Sequence, residues 1–287
     1  MKLSGLNAIV TGANQGLGFE IARRYLSAGA SIAICARDRE KLEKAAAELR
    51  ASATAGQKIF HLCCDVSDEA AVNQFLAASI AALGSIQILV NNAGVYGPKG
   101  PSEKVAWAEW KRAIEINLYG TMLPTRAVLP HLKQQGRGKI INLSGGGATQ
   151  PLPMISAYAA SKASVVRLTE TLAEELRPYR IDVNAVAPGA LNTRLLEEIL
   201  DAGPELIGEA FYQKALKQQA SGGTPLELAA NLCVYLASAE SDGVTGKLIS
   251  AQWDPWRDFA RHKDTLLNSD IYTLRRIVPE DRAQQWT

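Results

Sequence analysis

Short apolar runs alternate along the chain with longer stretches in which apolar positions recur at helical spacing. The short runs are Asn7 to Val10, Ser31 to Ala36, Lys58 to Cys64, Ile88 to Asn91, Lys139 to Leu143 and Asp182 to Ala187. Between them lie segments such as Asp38 to Ala53, where Leu42, Ala45, Ala46 and Leu49 repeat every three or four residues among charges. Strand, helix and strand repeated in this way predict an α/β protein with a doubly wound parallel sheet, covered by helices on both faces. Right-handed crossovers then restrict the topology, and a ligand is expected at the carboxyl ends of the strands, where the winding reverses. The residues that carry chemistry should therefore sit just after strands.

The pattern predicts one domain over residues 1–251. Nothing before Pro188 reads as a linker, and no repeat or low-complexity tract interrupts the alternation. From Thr193 to Gly223 the chain turns polar and helix-prone, with breaks at Gly203, Gly208, Gly222 and Gly223, so residues 190–223 are expected to cover a site. Residues 252–287 form a tail with Trp253, Trp256, Tyr272 and Trp286, expected to pack on the domain or on a neighbouring subunit.

Composition narrows the function. With 287 residues and 47% hydrophobic content, one large core is attainable. A net charge of +2 gives no field suited to nucleic acid, so small molecules are the default ligands. Cys35, Cys63 and Cys64 fall within strand-like runs, where a thiol behaves as a small hydrophobe, and with Cys233 they show no CxxC spacing, which fits a reducing, cytoplasmic setting. His61, His131 and His262 are scattered, and no metal is expected. Gly12 arrives too early to leave room for a signal peptide, and no run approaches the roughly 20 apolar residues of a membrane helix.

The first strand runs into Thr11-Gly12-Ala13-Asn14-Gln15-Gly16-Leu17-Gly18 and then into a helical pattern. Glycines there let the backbone turn tightly and approach a diphosphate, while the helix start offers free N–H groups and the positive end of a dipole. Strand before and helix after make this a dinucleotide site rather than punctuation. The form Thr-Gly-x-x-x-Gly-x-Gly resembles the short-chain dehydrogenase/reductase family. The resemblance extends over roughly the first 250 residues through Asp65-Val66, Asn91-Asn92-Ala93-Gly94, Asn117, Tyr158-x-x-x-Lys162 and Pro188-Gly189. It implies a Rossmann-type fold and a nicotinamide dinucleotide held by Thr11, Gly12, Asn14, Gln15, Gly16, Leu17 and Gly18. It also implies that Asp65 and Val66 lie at the adenine, that Asn91, Ala93 and Gly94 lie along the cleft, and that Pro188, Gly189 and Thr193 lie at the nicotinamide end.

The choice between NADP(H) and NAD(H) rests on Ile34-Cys35-Ala36-Arg37-Asp38-Arg39. A carboxylate at the end of the second strand binds ribose hydroxyls and repels a 2′-phosphate, whereas a guanidinium pairs with the phosphate. Aligned with the family, Ala36 takes the acid's place and Arg37 follows, which favours NADP(H); NAD(H) stays possible because Asp38 is near and Arg37 and Arg39 also read as solvated loop cations.

Reduction of a carbonyl by hydride leaves negative charge on oxygen, so the site needs an aligned proton donor. Tyr158 and Lys162 lie one helical turn apart within Ser156 to Arg177, on one face, and a neighbouring ammonium favours the phenolate. In the resemblance Tyr158 is the general acid/base, Lys162 also grips the nicotinamide ribose, and Asn117 helps connect Lys162 to solvent through water. One departure stands out: family members read Ser-Ser after the fifth strand, and here the pair is Ser144-Gly145, followed by Gly146 and Gly147. Either Ser144 shifts inward, or a backbone N–H or a substrate hydroxyl replaces the lost donor, whose removal commonly costs on the order of a hundredfold in rate.

Two functions follow. The first is an oxidoreductase moving hydride between NADP(H) and a small carbonyl or secondary alcohol. The second, motivated by Gly145 and the tail, is a dinucleotide-binding scaffold or redox sensor with weakened chemistry. Gly145 to Ser156, Val95 to Pro101 and Ala190 to Gly223 would wall the substrate pocket, whose apolar side suits many ketones and selects none. The resemblance implies a homodimer or homotetramer, paired through long helices around Trp110 to Gln135 and Ser156 to Arg177.

Overall fold

The computed structural model describes residues 1–286. Seven parallel strands form one sheet: β1 (Asn7–Thr11), β2 (Ser31–Ala36), β3 (Ile59–Cys63), β4 (Ile88–Asn91), β5 (Gly138–Leu143), β6 (Ile181–Ala187) and β7 (Leu248–Ser250), in the order β3-β2-β1-β4-β5-β6-β7. The six strands expected from the apolar runs are all present, their ends shifted by a residue at most. The order reverses between β1 and β4, which puts the loops after these two strands side by side at the carboxyl edge of the sheet.

Successive side chains of a strand point to opposite faces, and the two halves of the core follow that alternation. Ala8 and Val10, Ile32 and Ile34, Ile88 and Val90, and Ile141 and Leu143 meet one layer of helices. That layer holds α1 (Gly16–Ser27), α2 (Arg39–Ala51) and, from late in the chain, the helix Leu226–Ala237. Ile9, Ala33, Cys35, Leu89 and Ile140 face the other layer. There α3 (Glu69–Leu83) packs on α5 (Gly120–Gln135), and α4 (Trp107–Ile114) packs on α6 (Ser156–Leu176). A single π-helical turn, Glu115–Tyr119, joins α4 to α5 and carries Asn117. Both faces of the sheet are buried except along the edge strand β3, which is half-buried, as the near-continuous apolar runs of the other strands require.

Cys35, Cys64 and Cys233 are buried as small hydrophobes, but Cys63 is exposed at the end of β3, where its Sγ–H donates to the Arg37 carbonyl. His131 accepts from the Ile86 N–H and His61 meets Arg50, so these two histidines serve packing and surface. Among the described residues, no helix is long and apolar enough to cross a membrane.

After β6 come α7 (Arg194–Ile207), kinked at Gly203, and α8 (Glu209–Ser221). They enclose a small apolar cluster of their own around Leu196, Ile199, Ile207 and Ala215, against which Tyr96 packs. The helix Leu226–Ala237 is α9, and beyond β7 the tail begins; it contributes to the main core rather than standing apart. Trp256 and Phe259 are almost fully buried. The Trp256 ring lies 5.8 Å from Tyr235 and its indole N–H donates to the Ala251 carbonyl. The tail also caps the free edge of β7, since the Leu248 N–H donates to the Tyr272 carbonyl, and an edge so covered cannot template another strand. Trp253, by contrast, is 78% exposed.

Truncating a buried indole removes both its transfer energy and its packing partners. Trp256→Ala should therefore destabilise the protein by about 3–5 kcal/mol, while Trp253→Ala stays within about 0.5 kcal/mol. Urea unfolding checks this, and equal effects of the two changes would show that the tail is not part of the core.

Candidate active site

Two turns build the floor of the cleft. After β1, Gly12 and Gly16 adopt left-handed φ of +64° and +57°, and a Cβ on Gly12 would come within 2.8 Å of the Ala93 Cα. A Cβ on Gly18 would overlap both the Asn92 amide and the Gly12 carbonyl. The turn after β1 is thus pressed directly onto the turn after β4, which only glycine permits. The two are tied by hydrogen bonds: the Asn92 and Ala93 N–H groups donate to Thr11 Oγ1, and Asn92 Nδ2 donates to the Thr11 and Gly12 carbonyls. Asn14, Gln15 and Gly16 stay partly accessible at the start of α1, whereas Leu17 and Gly18 are buried beneath. Thr193, just before α7, reaches within 3.5 Å of where a Gly16 Cβ would stand, so α7 begins against the glycine turn.

Several expected cleft residues turn elsewhere. Thr11 is 1% exposed and its hydroxyl is spent on the β4 turn. Asn91 points into the helix layer, donating to Thr125 Oγ1 and Asn142 Oδ1. Val66 packs its methyls against Gly120 of α5. In each case strand alternation or helix packing claims the side chain, leaving only backbone for a ligand.

Asp65 is partly exposed and its carboxylate is held by the Ser67 N–H and hydroxyl and by Arg112 of α4. Burial acts to raise its pKa, but the hydrogen bonds from Ser67 and Arg112 outweigh that and keep it below the ordinary carboxylate range. Arg37, at the end of β2, is exposed and forms no ion pair among the described residues. Asp38 is the cap of α2, accepting from the Lys41 N–H at 3.0 Å, so its carboxylate is already engaged.

At the far end of the cleft, α6 presents Tyr158 and Lys162 together. Lys162 is 5% exposed and its ammonium donates to the Leu143 carbonyl at 2.7 Å, 5.7 Å from the Tyr158 ring centre. Burial lowers the Lys162 pKa to about 8. Burial also raises that of Tyr158 above the ordinary phenol range, with Tyr96 adding to the rise. In the protein alone, desolvation of the phenolate is the largest influence on this phenol and acts against its acidification. At neutral pH Tyr158 is a protonated donor.

Asn117 is fully buried in the π-helical turn. Its Oδ1 accepts from the Val95 N–H, and its Nδ2 donates to the Val95 carbonyl and to Ser161 Oγ. A Cβ on Gly94 would fall 3.3 Å from Asn117 Oδ1 and 3.6 Å from Lys162 Nζ, so Gly94, Asn117 and Lys162 converge. One π turn inside a helix shifts its register, and here it delivers the amide to that meeting point.

Gly145 lies against the Tyr158 hydroxyl so closely that any Cβ there would overlap it. Ser144 does not move in to compensate: its N–H is bound to the Val186 carbonyl, and its hydroxyl is sealed from solvent with no partner. Gly189 packs on Thr224, whose hydroxyl donates to Gln252, linking Pro188-Gly189 to the start of the tail.

The site also includes groups that motif reading missed. Tyr96 tilts against Tyr158 with ring centres 4.6 Å apart. Glu198 of α7 pairs with Arg194 and with Lys99, fastening α7 to the loop that carries Tyr96. Arg112 holds Asp65 across 47 positions of sequence. Tyr96 lies two residues beyond the Asn-Asn-Ala-Gly turn and could have been singled out from that place alone.

A parallel sheet of this order, a glycine turn at its switch point and a Tyr-Lys pair beside the next turn define a dinucleotide-dependent oxidoreductase class. The family model described as short chain dehydrogenase matches residues 6–203, and the chain belongs to that family. It is 37% identical over 245 residues to the 3beta-hydroxysteroid dehydrogenase 1 of Eggerthella lenta, covering 85% of this chain and 91% of that protein. Among solved structures it resembles NAD+-bound xylitol dehydrogenase, with a TM-score of 0.80 and 28% identity over 87% of this chain and 98% of that one. It also resembles gluconate 5-dehydrogenase from Burkholderia cenocepacia in complex with NADP and tartrate, with a TM-score of 0.76 and 31% identity over 87% and 94% of the two chains.

Proposed function

We propose that this protein is an NADP(H)-dependent carbonyl reductase, or the same enzyme working backward on a secondary alcohol, with Tyr158 as the general acid/base. The observation that carries this reading is the convergence of Tyr158, Lys162 and Asn117 next to a cleft floored by glycines that no side chain could replace.

The cleft suits a nicotinamide dinucleotide: the turn Gly12–Gly18 and the start of α1 would hold its diphosphate, and Asp65 with the Val66 backbone would flank the adenine. The Ala93-Gly94 turn, Pro188, Gly189 and Thr193 would line the remainder. When bound, that group supplies or accepts the hydride. Arg37 supports the phosphorylated cofactor, being the unpaired cation at the end of β2 while the neighbouring Asp38 is committed to its helix. A charge-assisted bond to a 2′-phosphate follows from that arrangement.

The protein supplies the proton and the field around it. A phenol kept protonated by burial is ready to give its proton to an oxygen that gains charge. Lys162, held by the Leu143 carbonyl, keeps a positive charge beside the phenol as it turns anionic and would bind the ribose hydroxyls. Asn117 and Ser161 continue the polar chain from this point, a route by which the proton is restored through water. The apolar cover, with Leu196 and Ile199 in its cluster, excludes water from the reacting centre. The exposed Trp107 and Tyr119, flanking α4 and α5, support pairing of this helix face in a homodimer or homotetramer, and a cytoplasmic location fits the unpaired thiols.

Tyr158→Phe should abolish NADPH oxidation across a panel of carbonyl compounds while leaving NADPH binding intact. Full turnover by that variant would end the assignment, and binding without turnover in the unaltered protein would favour the scaffold reading. Arg37→Ala should weaken NADPH roughly ten- to hundredfold and leave NADH unchanged, as judged from KM for each cofactor. Because the buried Lys162 loses its proton near pH 8, kcat/KM for reduction should fall as pH rises through that value. A profile flat to pH 10 would mean that the lysine charge has no part in the reaction.

A further inference from the structure

An oxygen that becomes anionic during reduction is best served by more than one hydrogen-bond donor, and removing one typically costs on the order of a hundredfold. In this site the residue at 145 has no side chain to supply a second donor, since it is glycine and the Tyr158 hydroxyl occupies the space where one would stand. Ser144 cannot supply one either, as its hydroxyl is sealed away. Among the polar groups closest to the pair, Asn117 is committed to Val95 and Ser161 and Ser161 to the Tyr158 carbonyl, while the N–H groups that Lys162 does not spend on Leu143 serve the ribose hydroxyls in the reading above.

Tyr96 differs from all of these. Its ring is half-buried, packed on one side against Tyr158 and on another against the apolar cluster of the cover. Its hydroxyl makes no hydrogen bond among the described residues, yet it is not among the polar atoms sealed from solvent, and the same holds for the hydroxyl of Tyr158. Two phenols with their rings in contact, both with free hydroxyls that solvent reaches, thus stand side by side. We propose that the Tyr96 hydroxyl is the second donor to the reacting substrate oxygen, taking the role that a serine hydroxyl fills in related enzymes. This rests on the reductase reading and adds a substrate-binding residue to it.

The surroundings suit that role. Burial, aided by the nearby Glu198 charge, raises the Tyr96 pKa to about 12, so the phenol keeps its proton throughout the working range. Glu198 is itself held by Arg194 and Lys99, which ties the loop of Tyr96 to α7. The donor is therefore in position when the cover is seated. The glycine at 145 and the tyrosine at 96 are two parts of one arrangement: loss of the small side chain lets Tyr158 lie against the loop after β5, and the larger phenol supplies the missing bond from the opposite wall.

The test uses aryl and alkyl methyl ketones, each paired with its trifluoromethyl counterpart, with NADPH as reductant. Tyr96→Phe keeps the ring contact with Tyr158 and removes only the hydroxyl. Its kcat/KM should fall about a hundredfold on the plain ketones and distinctly less on the trifluoromethyl ones, whose weakly basic alkoxides need less hydrogen bonding, with NADPH affinity by fluorescence titration unchanged. A packing defect would penalise both members of each pair alike, so equal losses overturn the proposal, as does an undiminished rate. Gly145→Ser, which must push Tyr158 aside, should lower turnover; if it instead restored the Tyr96→Phe variant, position 145 would be the donor's place and Tyr96 would not. A Tyr158→Phe protein that is inactive beside a fully active Tyr96→Phe protein removes this inference alone. Absence of turnover by the unaltered protein on every ketone, with NADPH bound, removes the reductase reading and this inference with it.

Discussion

Lys162 carries an ammonium that is 5% exposed, with one backbone carbonyl at 2.7 Å and no carboxylate within 4 Å among the described residues. Burying a charge so incompletely paired is unfavourable, and its pKa falls from 10.5 to about 8. Since the folded value lies below the unfolded one, the cost is present in full below about pH 8 and disappears as pH rises towards 10.5. Near neutral pH it amounts to about 3 kcal/mol. A fold retains such a charge only where the rest of its packing leaves no alternative position, and much of this molecule can be understood as the means of holding it. The amphipathic α6 is pinned to the sheet by Val165, Val166, Leu172 and Leu176, all almost fully buried. β5 ends so that the Leu143 carbonyl meets the ammonium, and the π turn brings Asn117 beside Gly94 at the same place.

The complementary constraint is at the other end of the cleft. There, charge has been kept out of the floor and backbone brought close, with Gly12 pressed against Ala93 and Thr11 stitched to Asn92. The two regions meet at the reversal between β1 and β4, where a parallel sheet unavoidably leaves a crevice. Free N–H groups at the start of α1 and a buried cation on α6 thus face one groove, and both favour a ligand with negative charge or developing negative charge.

The sheet was legible because buried parallel strands carry their signal locally: Ile32-Ala33-Ile34-Cys35-Ala36 is apolar on both faces, whatever surrounds it. The pairing of Tyr158 with Lys162 was legible for a similar reason, since one helical turn is a property of four consecutive residues. What escaped depends on distant parts of the chain. That Thr11 and Asn91 face inward follows from which neighbour each strand acquires, and that Arg112 holds Asp65 follows from how α4 lies across the turn after β3. The π turn has no signature in Glu-Ile-Asn-Leu-Tyr. The raised rather than lowered phenol is a matter of solvent access, which no spacing reports. Cys63 was misread because the last residue of β3 lies on the sheet's outer edge, where alternation alone cannot promise burial.

The tail illustrates how an extension can serve a site it does not touch. Leu274 binds α6 twice, its N–H donating to Glu170 and its carbonyl accepting from Arg167. Lys247, just ahead of β7, donates to Ser269 of the tail, while Trp256 fills the opposite layer beside Tyr235. The extension therefore grips the sheet's last strand from the edge, one helix layer from within and α6 from outside. Residues 167 and 170 lie little more than one and two turns beyond Lys162 on the same helix. A helix that must hold an unpaired ammonium in place gains from being braced along its length, because any fraying or shift of α6 would let water reach the amine and move the phenol away from the cleft. The three-residue β7 is too short to supply that bracing by itself, and the tail does so through hydrogen bonds to the helix.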